Sequence, residues 1–154
     1  MIAYLDPARP QDLRWSIVEY LANQFGFIDL IINVPLNSLM RAILGAHHGR
    51  GSGPGAAGRF LNHHAPIELI QPDARRPNTR ATIEAIRSHY DAQLVALGFK
   101  QPARRTVNFP ADNPYYDILL ASRHDRALER WNKTNPLPVD PQLSLLGGDA
   151  ADSD

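Results

Sequence analysis

Polar residues at the ends of two apolar runs are the first candidates for chemistry in this sequence. Asp6 and Pro7 follow the run MIAYL, and Asn33 lies at the end of the run FIDLIINV. Apolar runs of this kind are typical of buried strands, and ligands of open α/β sheets bind outside the carboxyl ends of such strands. We therefore predict a substrate site that contains Asp6, Pro7 and Asn33, with Asp6 as the best candidate for a catalytic group.

The same residues have an ordinary structural explanation. An Asp-Pro pair often ends a strand, where the carboxylate accepts hydrogen bonds from its own turn. Asn33 could contact a substrate, but an Asn at a strand end more often bonds to loop backbone groups. The sequence favours this structural role, so catalysis by Asp6 is a hypothesis that the geometry has to support.

Two pairs of adjacent histidines could bind a metal ion. His47-His48 and His63-His64 lie on either side of a glycine-rich segment. Their spacing does not match compact zinc sites, and the sequence has no H-x-x-x-H motif. We therefore interpret these four histidines as solvent-exposed and predict no metal site. His124 follows the last predicted strand, and we expect it to cap the next helix rather than act as a base.

The composition restricts the class of protein. The chain has 154 residues, enough for about one domain, and its 16 basic residues balance 16 acidic ones. This balance gives no argument for binding to nucleic acid or to a membrane. The sequence has no cysteine, which excludes disulfides, thiolate zinc sites and iron–sulfur clusters. No apolar run approaches the roughly 20 residues that span a bilayer, and the first residues lack the basic region of a signal peptide, so we expect a cytoplasmic protein.

Hydrophobic periodicity predicts an α/β fold with the order β-α-β-α, a loop, and then α-β-β-α. The first three elements should form a parallel βαβ crossover. Its second strand, residues 28–34, is so continuously apolar that we expect it to be buried on both faces. The last two strands, residues 104–109 and 115–122, should form an antiparallel hairpin. The first predicted helix follows a cap at Asp12, and the second covers residues 36–44. The third starts at a cap on Asn78 or Thr79 and ends at Gly98, and the last covers residues 125–133.

Composition also suggests how the chain is divided. Residues 45–58 are rich in glycine, and prolines recur up to residue 77. We predict one domain, residues 1–134, with a flexible Gly/Pro-rich insertion at residues 45–77 and a disordered tail at residues 135–154. The tail contains one short apolar motif, from Gln142 to Leu146.

Several short stretches carry a family resemblance. They are YLDP at residues 4–7, WSI at 15–17, DLIINVP at 29–35, MR at 40–41, GF at 98–99, NPYYDILLASRH at 113–124, and Trp131. In this order they resemble the three-Cys-motif partner proteins, a family similar to the class I, Rossmann-like S-adenosylmethionine-dependent methyltransferases. The resemblance extends over residues 1–131.

The resemblance implies a methyltransferase-like sheet in which the strand before Asp6 is the fourth of seven and the last, antiparallel strand is inserted by a hairpin. In such proteins the first three strands hold S-adenosylmethionine, and their glycine-rich turn has no counterpart in this sequence. We therefore expect a C-terminal half of the fold, which binds no cofactor alone and is inactive unless a missing half supplies the S-adenosylmethionine site. The D/N-P-P-aromatic segment of amino-methyltransferases is also incomplete, because Ala8 and Arg9 follow a single proline.

The resemblance further predicts how the chain could associate. In the full fold the fourth strand pairs with the first, so the strand from Met1 to Leu5 would be an open apolar edge that pairs with a second copy or a companion chain. The motif from Gln142 to Leu146, QLSLL, is similar to the pentapeptide that docks bacterial proteins on the DNA-polymerase sliding clamp, although an apolar motif that folds back on the domain is the simpler explanation. An interaction module that acts through this edge and tail is therefore the alternative function.

Overall fold

The computed structural model describes residues 1–48, 55–70, 78–109 and 113–134, so the predicted tail and part of the predicted insertion lie outside the described residues. The strands are β1 (Ile2–Leu5), β2 (Asp29–Val34), β3 (Ala103–Phe109) and β4 (Asn113–Ala121). The helices are α1 (Trp15–Gln24), α2 (Leu36–His47), α3 (Gly55–Leu61), α4 (Thr79–Ala96) and α5 (Asp125–Lys133), with short 3-10 turns at Pro10–Asp12 and Pro66–Leu69. Within these ranges no helix combines the length and the apolar character needed to cross a membrane.

The strands form one sheet with the order β1-β2-β4-β3. β1 and β2 are parallel, and α1 connects them. β4 is antiparallel to both β2 and β3. The predicted βαβ crossover and the predicted hairpin are therefore confirmed. Because β4 lies between β2 and β3, its first residues lie beside the carboxyl end of β2, and β1 is left at one edge of the sheet.

One face of the sheet carries the hydrophobic core. Every second residue of β2, from Leu30 to Val34, is at most 3% exposed and packs in one cluster with apolar residues of α1 to α4. The alternate residues Asp29, Ile31 and Asn33 belong to the opposite face and are only half-buried. The prediction that β2 is buried on both faces is therefore wrong, because α1 to α4 all pack on one side.

The opposite face is covered only in part. α5 packs against β3 and β4 on this side, where the Arg105 guanidinium lies 5.0 Å from the centre of the Trp131 ring. At the other end of the sheet the side chains of Ile2 and Tyr4 are 66% and 60% exposed. We call the surface formed by Ile2, Tyr4 and Ile31 the open face.

The glycine-rich segment contains a helix that its composition did not predict. α3 buries Phe60 and Leu61 in the core. A Cβ atom on Gly58 would lie 2.6 Å from the carbonyl oxygen of His63, so only glycine allows this close packing. α2 also continues to His47, past its predicted end at residue 44.

The predicted helix starts have different outcomes. Asp12 does not cap α1, which begins only at Trp15; its carboxylate instead accepts a hydrogen bond from the N–H of Arg9 at 2.9 Å in the preceding turn. The cap of α4 is confirmed, since the Asn78 side chain accepts a hydrogen bond from the first turn. Gly98 follows the end of α4 with a φ of 86°, a conformation that favours glycine.

Candidate functional site

The candidate site is a pocket at the carboxyl ends of β1 and β2, with a volume of about 210 Å³. Asp6 lies in the pocket because it is the residue directly after β1. Asn33 lies there because it is the second-last residue of β2. The structure thus brings together the three residues that the sequence selected. The pocket is lined, among others, by Asp6, Pro7, Asn33, Ser38 of α2, and Tyr115 and Tyr116 of β4.

A direct hydrogen bond joins the two polar candidates. Nδ2 of Asn33 donates to Oδ1 of Asp6 at 2.7 Å. This bond fixes the amide orientation, so Oδ1 of Asn33 must face away from Asp6. That oxygen is buried and accepts no hydrogen bond from any residue that the structure describes. The pair therefore presents one acceptor to the pocket, the Asp6 carboxylate, which the Asn33 amide holds in place.

Tyrosine rings supply the aromatic part of the pocket. Tyr115 and Tyr116 come from the start of β4, and their rings lie 5.5 Å apart in an edge-to-face arrangement. The Tyr4 side chain belongs to the same side of the sheet. Partial burial raises the pKa of Tyr4, and the nearby groups of Asp6 and Tyr116 raise it further. The phenol of Tyr4 therefore stays protonated at neutral pH and can act as a donor beside the pocket.

The arrangement can bind a group that carries N–H or O–H donors next to a flat or apolar portion. The Asp6 carboxylate retains acceptor capacity beyond its bond to Asn33, and it attracts positive charge. A protonated amine would bond to the Asp6 carboxylate, while the tyrosine rings would contact its carbon atoms. The geometry supports binding and orientation of such a group.

The tyrosines are the site residues that the sequence did not identify. The motif YLDP lacks an aromatic residue after its proline, which argued against an aromatic contact next to Asp6. The structure supplies Tyr115 and Tyr116 from β4 instead. Only the strand order places these residues at the carboxyl end of β2, so a reading of local motifs could not have found them.

The histidine pairs differ in exposure. His47, His48 and His64 are exposed, as predicted, whereas His63 is half-buried and lies 4.8 Å from the ring of His89. The described residues contain no group of three or more His, Cys, Asp or Glu side chains placed to hold a metal ion. His124 occupies the N-cap position of α5 without a side-chain bond, and its ring stacks on Phe27.

Hydrogen bonds fix the protonation of the two neighbouring histidines. Nδ1 of His63 accepts a hydrogen bond from the N–H of Ala65 at 3.1 Å, so this nitrogen carries no proton. Nε2 of His89 lies 2.7 Å from the Leu61 carbonyl oxygen, which can only accept, so this nitrogen is the donor. Burial, together with His89 nearby, lowers the pKa of His63. The His63 ring thus holds the turn after α3 in its neutral form.

A second polar cluster lies on the helix side of the sheet, between α4 and the β3–β4 hairpin. The carboxylate of Asp117 is buried and accepts two hydrogen bonds of 2.8 Å from Arg87 and one of 2.7 Å from Thr106. Arg104 lies 3.0 Å from Asp117 and 2.7 Å from Asp91. Burial raises the pKa of Asp91 despite this contact. The charges are paired within the cluster, which indicates a structural role.

Comparison with known proteins does not add a family. No family model, no curated protein and no solved structure matches the chain. The features that bear on function are therefore the fold and the pocket of Asp6 and Asn33.

Proposed function

We propose that this chain is a methyltransferase-like protein of the three-Cys-motif partner type that holds the C-terminal half of the Rossmann-like sheet. The observation that carries the proposal is the position of β4, antiparallel to both neighbours and between β2 and β3. A simple meander would give the order β2-β3-β4. The insertion of the last strand beside β2 is the arrangement that the family resemblance implies.

S-adenosylmethionine does not fit the described residues as a ligand of this chain alone. A strand-to-helix turn that holds such a cofactor needs glycine, because a Cβ would block the close approach of the backbone. Residues 6–14 join β1 to α1, residue 35 joins β2 to α2, and residues 122–124 join β4 to α5, and none of these connections contains glycine. We propose that the chain is inactive by itself and that strands pairing with β1 would supply the cofactor site.

Within this proposal the pocket binds the methyl acceptor. Asp6 offers a carboxylate acceptor that Asn33 holds by a hydrogen bond, and Tyr115 and Tyr116 offer an aromatic surface. An acceptor with an amino group would meet both requirements. Asp6 would orient the nitrogen through a hydrogen bond, with Asn33 and Pro7 holding its carboxylate in place.

Thermal unfolding with and without S-adenosylmethionine tests the cofactor part of the proposal. A ligand that binds only the folded state raises Tm by mass action. We expect a cooperative transition, followed by circular dichroism, whose midpoint does not change when S-adenosylmethionine is added to the pure chain. A clear rise in Tm would mean that the chain has a cofactor site of its own, and the half-fold proposal would be wrong.

An interaction module is the second candidate function, and the exposure of β1 favours it. Ile2 and Tyr4 are both more than half exposed on an edge strand, which is an unusual surface for a finished sheet. Co-purification from the native host distinguishes the two candidates. A companion that carries a glycine-rich strand-to-helix turn would support the methyltransferase-like function, whereas a partner without such a turn would support the module.

A further inference from the structure

The open face exposes apolar side chains to solvent. Ile2 and Tyr4 are exposed beside Ile31, which lies opposite Tyr4 in the register of β1 and β2. On this side of the sheet α5 packs against β3 and β4. Whatever covers the open face should therefore bring apolar side chains to Ile2 and Tyr4.

The end of α5 brings the chain to this side of the sheet. Nη2 of Arg105 donates to the carbonyl oxygens of Trp131 and Thr134 at 2.6 and 2.7 Å. Arg105 lies opposite Ile118 of β4, and Ile118 lies opposite Asn33 of β2. Residues directly opposite each other in neighbouring strands share a face. Thr134, the last described residue, is therefore held at the level of Asn33 and on the same side as the open face.

The remaining chain is long enough to reach β1. Neighbouring strands are about 4.8 Å apart, so the path from β3 across β4 and β2 to β1 is about 14 Å. A proline-rich segment advances about 3.1 Å per residue, so residues 135–142, with their three prolines, span up to about 25 Å. The tail leucines, which are Leu143, Leu145 and Leu146, come directly after this segment.

We propose that the tail leucines dock on the open face of the same chain. The leucine side chains would cover Ile2 and Tyr4. The contact uses side chains on the face of the sheet and leaves the peptide groups at the edge of β1 free, so it does not depend on the proposed function.

Disulfide trapping tests this docking without background, because the natural sequence has no cysteine. A chain with Tyr4→Cys and Leu145→Cys is oxidised mildly, since a bridge forms only when the two Cα atoms come within about 7 Å. The matched control pairs Leu145→Cys with Ile17→Cys, an exposed position on α1 at the helix side of the sheet. Docking raises the effective concentration at Tyr4, so we expect the intramolecular bridge to form at least about tenfold faster there than in the control.

Two outcomes would overturn the proposal. Equal rates in the two variants would mean that the tail has no preferred site, as expected if QLSLL is kept free for another partner. A bridge between two chains, seen as a dimer on a non-reducing gel, would mean that a second copy covers the open face. The pair Ile2→Cys and Leu143→Cys repeats the test should Tyr4→Cys lower the stability.

Discussion

At the scale of single residues, Tyr90 places a hydroxyl group inside the hydrophobic core. Its ring packs 5.3 Å from Trp15 and 5.4 Å from Phe60, centre to centre. Its hydroxyl is buried and has no hydrogen-bond partner among the described residues, and burial raises its pKa. The ring therefore stabilises the fold, while the hydroxyl contributes a desolvation cost.

Removal of that hydroxyl should not weaken the fold. We expect Tyr90→Phe to leave the free energy of unfolding unchanged or to raise it by up to about 1 kcal/mol, because an unpaired buried donor is lost. Tyr90→Ala should lower it by about 3–5 kcal/mol through the cavity that remains. Urea unfolding of both variants measures these changes. A large loss in Tyr90→Phe would show that the hydroxyl has a partner outside the described residues.

His63 should make stability depend on pH. Its pKa is lowered in the folded state, so the unfolded chain binds more protons below its ordinary value of about 6.5. The contribution of His63 is therefore complete above about pH 6.5 and is lost as the pH falls through the lowered folded-state pKa. Protonation of Nδ1 would also remove the acceptor for the N–H of Ala65.

The variant His63→Asn distinguishes the effect of His63 protonation from the effect of its hydrogen bond with the N–H of Ala65. An Asn side chain can accept from the N–H two residues later, as in an Asx turn, but it does not titrate. We expect the unfolding midpoint in urea to fall less between about pH 7 and about pH 5 in His63→Asn than in the unmodified chain. His48→Asn, at an exposed position, is the control and should keep the full pH dependence. Identical slopes in all three proteins would exclude His63 as the source.

Part of the candidate site could be predicted residue by residue. Asp6 and Asn33 were identified because each lies at the end of an apolar run, and parallel strands bring such ends together. The aromatic residues could not be identified in this way. Tyr115 and Tyr116 reach the pocket only because β4 returns between β2 and β3, which is a property of the whole sheet.

At the scale of elements, two arginines connect structures that lie far apart in sequence. Arg123 donates to four carbonyl oxygens at the ends of α1 and α4, those of Ala22, Phe25, Gly26 and Leu97, at 3.0 to 3.3 Å. A positive charge at helix carboxyl ends is favourable because it complements the helix dipole. Arg87 joins α4 to β4 through Asp117.

Loss of the Arg123 guanidinium should loosen both helix ends. We expect Arg123→Ala to lower the free energy of unfolding by about 1.5–3 kcal/mol, the range for charge-assisted hydrogen bonds. Arg126→Ala, at an exposed position on α5, is the control and should change it by less than about 0.5 kcal/mol. Chemical denaturation gives both values, and equal small effects would contradict the bridging role.

Asp117 should be the most sensitive charge in the chain. Its replacement leaves Arg87 and Arg104 without their shared carboxylate, and breaking a buried ion pair in this way costs about 3–5 kcal/mol. We expect Asp117→Ala to lower the free energy of unfolding by that amount. Glu84→Ala removes the exposed partner of Arg87 and should cost at most about 1 kcal/mol. A mild effect of Asp117→Ala would mean that water replaces the carboxylate.

The elements that the sequence predicts well are those with local signals. α4 has a cap, a regular apolar spacing and a terminal glycine, and α5 and the hairpin are equally distinct. α3 was missed because glycine usually indicates flexibility, whereas Gly58 allows close packing here. β2 was expected to be buried on both faces because residues 28–34 are apolar except for Asp29 and Asn33, and therefore do not alternate as a half-exposed strand would. The run does not reveal that helices cover only one side.

At the scale of the whole molecule, the sheet ends at β1 without a closing element among the described residues. The Met1 carbonyl oxygen accepts a hydrogen bond from the N–H of Asp29, so the peptide groups at Ile2 and Tyr4 face away from β2. Such an edge is a template for pairing with another strand. We propose that β1 is the edge at which further strands pair with this methyltransferase-like sheet.

Sedimentation velocity over a range of concentrations tests this claim most directly, with two variants at position 4. Tyr4→Pro removes the outward N–H without touching the bonds between β1 and β2, and Tyr4→Val keeps that N–H. We predict that the unmodified chain and Tyr4→Val associate as the concentration rises, whereas Tyr4→Pro stays monomeric. An unmodified chain that remains a stable monomer at every concentration, or a Tyr4→Pro variant that associates equally well, would contradict the claim.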